Sequence, residues 1–144
     1  MNNIVSFYDA LYLPGNRLIY SVIAARYRGR WIFVRHQDRD TWEIAGGHIE
    51  PGETAEEAAS RELAEETGAL LFDLVCVATY SVENEKGIGY GRLFFAEVES
   101  IGPVPDTSEI AEIKLLRRLP ENLTYPDIQN ELFRRVIEHL RGKG

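Results

Sequence analysis

Between Glu53 and Glu66 the chain places six acidic side chains against one base, Arg61, and these carboxylates make up most of a formal net charge of -7. Their spacing dictates where they can sit. Thr54 followed by Glu57 is a capping-box start, and Gly68 is a helix stop, so the sequence predicts a helix over about 54–67. On that helix Glu62, Glu65 and Glu66 stand at i, i+3 and i+4 and share one face. The apolar positions Ala55, Ala58, Ala59 and Leu63, with Ala64 beside them, are nearly all small. A helix with so slender a stripe can bury it only by lying close against a flat partner, which points to a sheet.

Like charges at these spacings each cost a few tenths of a kcal/mol even on an exposed helix. A hard divalent cation, Mg²⁺ or Mn²⁺, resolves the conflict, since such ions prefer carboxylate, carbonyl and water oxygens. The alternative is a solvated acidic helix face. Arg61 has a planar fork suited to bidentate carboxylate bonding, and Glu53 is its natural partner, a surface salt bridge being the plainer reading.

Written as a pattern, Gly47 to Gly68 reads G-x5-E-x7-R-E-L-x-E-E-x-G. This resembles the Nudix box, the signature of hydrolases that cleave a diphosphate linked to another moiety. Trp42-Glu-Ile-Ala-Gly-Gly47 resembles the approach segment of MutT-like members, with Ala45 where many relatives have proline, and Ala69 stands where a larger aliphatic is usual. The resemblance implies an α+β Nudix fold, a mixed β-sheet sandwiched between helices. Its motif residues would be Gly47, Glu53, Arg61, Glu62, Glu65, Glu66 and Gly68. It further implies Glu62, Glu65 and Glu66 as Mg²⁺ (or Mn²⁺) ligands, with the Gly46 carbonyl as an additional one. Arg61 would orient a glutamate, and Glu62 would be the general base or base-orienting ligand, with Glu53 as runner-up. MutT-like members commonly add a glutamate from a later strand. Register against the family favours Glu99, with Glu97, Glu109 and Glu112 as alternatives and surface acids as the plainer reading of each.

The rest of the chain is read for its elements. Leu18–Ala25 and Arg30–Arg35, joined at Arg28-Gly29, form a predicted hairpin. Thr41–Ala45 is a short strand into Gly46-Gly47, where the backbone can turn or approach a ligand. Leu70–Tyr80 and Tyr90–Val98 are strands linked by the polar segment Glu83–Gly89, and Glu109–Leu116 is another. Residues 127–141 form a C-terminal helix with Ile128, Leu132, Val136, Ile137 and Leu140 on one face, and Arg141-Gly-Lys-Gly144 is expected to fray. A length of 144 residues, 44% hydrophobic and 27% charged, with no repeat or linker, fits a single domain, 1–144.

Composition narrows the partners. The single cysteine, Cys76, lies in an apolar run and is read as a small buried hydrophobe; no intramolecular disulfide is possible. No leader-like or bilayer-length apolar segment is visible, so a cytoplasmic protein without membrane contact is expected. Net negative charge disfavours long nucleic acid but not a small phosphorylated substrate. A P-loop is excluded, because neither Gly46-Gly47 nor Gly87-Ile-Gly89 is followed by G-K-[ST]. His36, His48 and His139 have no zinc spacing.

The expected substrate is a nucleoside triphosphate, unmodified or oxidised like 8-oxo-dGTP, cleaved to monophosphate and pyrophosphate. Leu119–Pro126 loosely resembles a bacterial subgroup linked to oxidised guanine nucleotides, and Asn122 is weighed as a base-reading amide against a plain turn residue. ADP-ribose, dinucleoside polyphosphates and an RNA 5′ end are the alternatives. Arginines 26, 28, 30, 35 and 39 would favour RNA if they lay together beside the acidic helix. A nucleotide-sensing domain without turnover is the alternative of another class, and a monomer or homodimer is expected.

Overall fold

The computed structural model describes residues 2–142. In chain order the elements are β1 (Ile4–Tyr8), β2 (Leu18–Tyr27), β3 (Arg30–His36), β4 (Ala45–His48), α1 (Ala55–Thr67), β5 (Ala69–Asn84), β6 (Gly87–Ile101), β7 (Ile110–Leu116) and α2 (Pro126–Gly142). The strands form one mixed sheet ordered β1-β5-β6-β2-β3-β7, with β4 also paired to β2. Among the described strands β2 and β6 pair in parallel and the other pairs are antiparallel.

The sheet is buried on both faces, and the alternation of strand side chains sorts the core into two layers. Ile23, Ala25, Ile32, Phe94 and Ala96 meet Ala55, Ala59 and Leu63 of α1. Ala24, Trp31, Phe33, Leu93 and Phe95 meet Leu132, Phe133 and Val136 of α2. The alanines let α1 lie close enough for the Ser21 hydroxyl to donate to Ala55 O at 2.7 Å, pinning the start of the helix to β2. The mixed sheet between two helices is the arrangement expected.

β2 and β3 form the predicted hairpin, turning through Arg28 (φ 51°) and Gly29 (φ 78°), but they pair only at Arg26–Trp31 and Tyr27–Arg30. β3 then splays away to pair with β7, and β4 fills the gap against Tyr20–Ile23. Gly46 and Gly47 therefore lie within a strand. The predicted Thr41–Ala45 strand is reduced to isolated bridges at Trp42 and Glu43, and regular pairing begins at Ala45. The polar Glu83–Gly89 segment is mostly strand as well, with the turn confined to Glu85-Lys86. β1, an edge strand on β5, is an element the sequence reading lacks. α2 continues through Arg141 and Gly142, where fraying was expected; Lys143 and Gly144 lie outside the described residues.

α1 has the capping box in full, Thr54 Oγ1 accepting from Glu57 N and Glu57 accepting from Thr54 N, and it ends at Gly68 with φ 78°. A Cβ on Gly68 would also come within 2.3 Å of Gly102 O, a backbone atom fixed by its neighbours. Gly68→Ala is therefore expected to lower unfolding free energy by about 2–4 kcal/mol, combining left-handed strain with a backbone clash. A urea midpoint within error of the parent would contradict this.

Candidate active site

α1 presents its acidic face to β4, and the two glycines of β4 determine how near the carboxylates come. A Cβ on Gly47 would stand 1.8 Å from Glu62 Oε2, so the carboxylate occupies the space any other residue would fill. A Cβ on Gly46 would lie 2.7 Å from Ser21 O, so Gly46 is required for β4 to close on β2. With that closure made, Gly46 N–H donates to Glu66 Oε1 at 2.9 Å. The glycine pair serves close approach, where the sequence left open whether it made a turn.

Arg61 ties the acidic helix to the preceding loop. Its Nε and Nη2 donate to the two oxygens of Glu53 at 2.6 and 3.0 Å, its Nη1 to Glu62 Oε1 at 2.8 Å, and its Nη2 also to His48 O at 3.2 Å. The fork holds the Glu53 carboxyl down at about 2, helped by the Glu50 N–H. Arg61→Lys removes the bidentate geometry while keeping the charge. The Glu53 carboxyl is then expected to titrate at least one unit higher by NMR; an unchanged titration would show that charge alone sets it.

Glu62 and Glu66 are affected in the opposite sense. Burial raises Glu62, partly offset by Arg61, with Glu65 adding repulsion. Burial pushes Glu66 up to about 8 against the Gly46 N–H, and Glu62, Glu43 and Glu65 repel it further. Glu65 is half exposed, its Oε2 3.6 Å from Arg61 Nη1. Among the described residues no three His, Cys, Asp or Glu side chains converge as a ready-made metal cage. What the face offers is two desolvated carboxylates, a third at its edge, and one neighbouring cation committed mainly to Glu53.

Two participants were missed in the sequence. His36 Nε2 lies 3.0 Å from Glu43 Oε1 and 3.7 Å from Glu66 Oε2, and Arg39 Nη1 donates to Glu43 at 3.2 Å. His36 and Glu43 come together through β3, where Val34 bridges Glu43. Burial raises Glu43, opposed by His36 and Arg39. Glu43 stood in the Trp42–Gly47 approach segment, the only signal that could have flagged it.

Glu99 is not gathered here. The β6 residue level with Val22 and Gly46 is Leu93, and Glu99 lies six residues further, about 20 Å along the strand. Glu97 is bound by Arg26 at 2.7 Å and Glu112 by Arg35 at 3.4 Å. Of the four later acids, only Glu109 reaches the cleft beside the glycines, together with His36, Glu43, Gly46 and Gly47. That cleft has a volume of about 1020 Å³ and runs between the sheet, the Asn84–Gly89 hairpin and the start of α2. The arginine stretch is divided: Arg26 engages Glu97, Arg28 lies over Tyr27, Arg35 engages Glu112, and of these five arginines only Arg39 lines the cleft. Asn122 donates from Nδ2 to Asp40 O at 2.8 Å and braces the loop.

The glycine-backed glutamate helix lies on one face of the single mixed sheet, with α2 on the other. The chain belongs to the Nudix family, whose NUDIX domain matches residues 16–136. Among curated relatives, a Bacillus subtilis protein described as a "Putative 8-oxo-dGTP diphosphatase", YtkD, is 37% identical over 102 residues, covering 71% of this chain and 64% of the relative. A second B. subtilis protein with the same description is 34% identical over 91 residues, with 60% of its length covered, so the chain spans less than two thirds of either relative. Among solved structures, the B. subtilis pyrophosphohydrolase BsRppH superposes with a TM-score of 0.78 at 27% identity, covering 94% of this chain and 91% of that one. The NUDIX domain of Shewanella oneidensis NrtR, solved with ADP ribose, shares the fold at a TM-score of 0.68 and 17% identity, over 91% and 95% of the two chains. No helix among the described residues is long and apolar enough to cross a membrane.

Proposed function

We propose that this chain is a divalent-metal-dependent pyrophosphohydrolase acting on a diphosphate-linked nucleotide, with a nucleoside triphosphate, unmodified or oxidised, as its main substrate. The observation that carries the reading is the pair Glu62 and Glu66, desolvated on one helix face against Gly46 and Gly47 and elevated in proton affinity. Such carboxylates bind a hard cation in exchange for protons. Glu62, Glu65, Glu66 and the Gly46 carbonyl would hold Mg²⁺ or Mn²⁺. Magnesium is usually bound by one or two carboxylates together with several waters and substrate phosphates. When bound, the metal would polarise the phosphoryl group and acidify water.

The chain's own residues supply position and proton transfer. Glu62 is the better general base, because burial raises its proton affinity, whereas Glu53 at about 2 is held as an anchor. Arg61 grips Glu53 and Glu62 together and fixes the base relative to the loop. Attack on the β-phosphorus forms a new P–O bond with water, and the bond from the α,β-bridging oxygen to that phosphorus breaks. The proton passes to Glu62, and monophosphate and pyrophosphate leave. The full set of charged groups supports turnover over ligand sensing alone. The dispersed arginines favour a small nucleotide over an RNA end.

The test is a substrate panel with Mg²⁺ or Mn²⁺: unmodified and oxidised nucleoside triphosphates, ADP-ribose, dinucleoside polyphosphates and triphosphate-ended RNA. A nucleoside triphosphate is expected to give the highest kcat/KM, with pyrophosphate as product. Higher kcat/KM for another member would overturn the substrate, and no turnover of any by folded protein would overturn the enzyme.

A further inference from the structure

One edge of the sheet is left half open. β1 pairs with β5 only from Thr79 to Glu83, and from there back to Ala69 the strand neighbour of β5 among the described residues is β6 alone. Along Phe72–Cys76, which pairs regularly with β6, alternate residues therefore turn their N–H and C=O groups outward with no strand beside them. Another extended strand is what satisfies such an edge. Exposed apolar side chains gather at the same place. Of the large ones among the described residues, Tyr20, Ile88 and Tyr125 line the cleft beside the glycines. The others are Ile4 on β1, Leu11 (83% exposed), Tyr12 and Leu13 (78%) in the loop that leaves β1, and Leu70 (66%) and Leu71 (61%) at the start of β5. That loop lies over β5 beside the open stretch, with Ala10 O accepting from Cys76 Sγ at 3.5 Å and from Thr79 Oγ1 at 3.2 Å. The opposite edge strand, β7, carries Glu112 and Lys114 and no exposed large apolar side chain, the usual guard against edge pairing. β1 has no charge at all, and Leu70–Val77 has Asp73 alone.

We propose that this edge is a homodimer interface, in which the open stretch of β5 pairs antiparallel with the same stretch of a second copy about a twofold axis near Asp73-Leu74. The notch fits its own double. Gly68 turns the chain out of α1 just before β5 begins, which frees the space in line with β5 for β1 of the second copy. One twofold operation then closes both open stretches, where an unrelated strand would close one. Pairing about Asp73-Leu74 offsets the two Asp73 carboxylates from each other. It also brings Leu70 and Leu71 of each copy level with Cys76-Val77 of the other, where the Leu11–Leu13 loop lies. These five side chains and the strand edge offer on the order of 600–800 Å² per copy, near the roughly 800 Å² a side of a stable interface. The cleft meets β5 at its other end, at Tyr80, Val82 and Asn84, so both active sites stay open.

The experiment is sedimentation equilibrium of the full chain from about 1 to 200 µM, with amide hydrogen exchange read at both ends of that range. The parent is expected to pass from monomer to dimer, and the outward amides within Phe72–Cys76 are expected to exchange at least tenfold more slowly at the high concentration. Leu11→Glu and Leu71→Glu, on different elements and both exposed, are each expected to weaken association at least tenfold while keeping the parent's circular dichroism. Ile88→Glu, which adds the same charge at the cleft, is expected to leave association unchanged. A parent that stays monomeric to about 200 µM would overturn the proposal. So would a dimer in which the Phe72–Cys76 amides exchange no more slowly, or one that Ile88→Glu weakens as much as the two leucine variants. Association unchanged in a folded Leu11→Glu or Leu71→Glu protein would overturn it as well. Exchange is read on the parent, so it decides the matter even if a variant fails to fold.

Discussion

Glu62→Gln is expected to slow nucleotide hydrolysis about a thousandfold, chiefly in kcat, without loosening the fold. The carboxamide keeps the shape that fits over Gly47 and can still accept from Arg61 Nη1, so the local geometry has no reason to collapse. What disappears is an anionic oxygen that takes a proton, a role worth about 10²–10⁴ in rate, together with charge for a cation. Because the substitution also removes a desolvated charge, the metal-free variant should unfold at an equal or higher urea concentration than the parent. Turnover within tenfold of the parent would remove Glu62 from the mechanism, and a lost urea transition would show that the carboxylate is structural.

The second large effect is on stability. Glu66 has an ordinary value of 4.5 and is pushed up to about 8 in the folded chain. Below pH 4.5 both folded and unfolded forms are protonated, and above pH 8 both are ionised. Between those limits the folded form binds the extra proton, so stability falls as pH rises through this window. The shift corresponds to about 3–5 kcal/mol lost by metal-free protein from pH 4.5 to 8. Glu62 and Glu43 are also raised, adding to the same slope, whereas Glu53 is lowered and acts only below pH 4.5. Glu66→Gln should flatten most of the slope, and Mg²⁺ should restore parent stability at pH 8 but not that of the variant. Urea titrations at several pH values, with chelator and with Mg²⁺, read both. A parent whose stability rises with pH in chelator would contradict the assignment.

The acidic helix α1 was legible because its signals are local: Thr54 with Glu57 at one end, Gly68 at the other, and a small-residue stripe between. Register was not. Glu99 depends on how β6 slides against β2 and β5, and the irregularities between Ala69 and Phe72 that displace pairing there have no sequence mark. Gly46 and Gly47 read as punctuation because their neighbours across the sheet, Ser21 and Val22, and above it, Glu62, are distant in the chain. His36 and Glu43 escaped for the same reason, each acquiring its role from a residue on another element. β1 offered only five residues, and it is held by pairing with β5.

Metal-dependent hydrolysis is read from the initial rate of pyrophosphate release from a nucleoside triphosphate as Mg²⁺ is raised from zero in the presence of parent protein. No release is expected in chelator, and a saturating rise is expected as metal is added. Release undiminished by chelator, or none at any Mg²⁺ concentration, would contradict it.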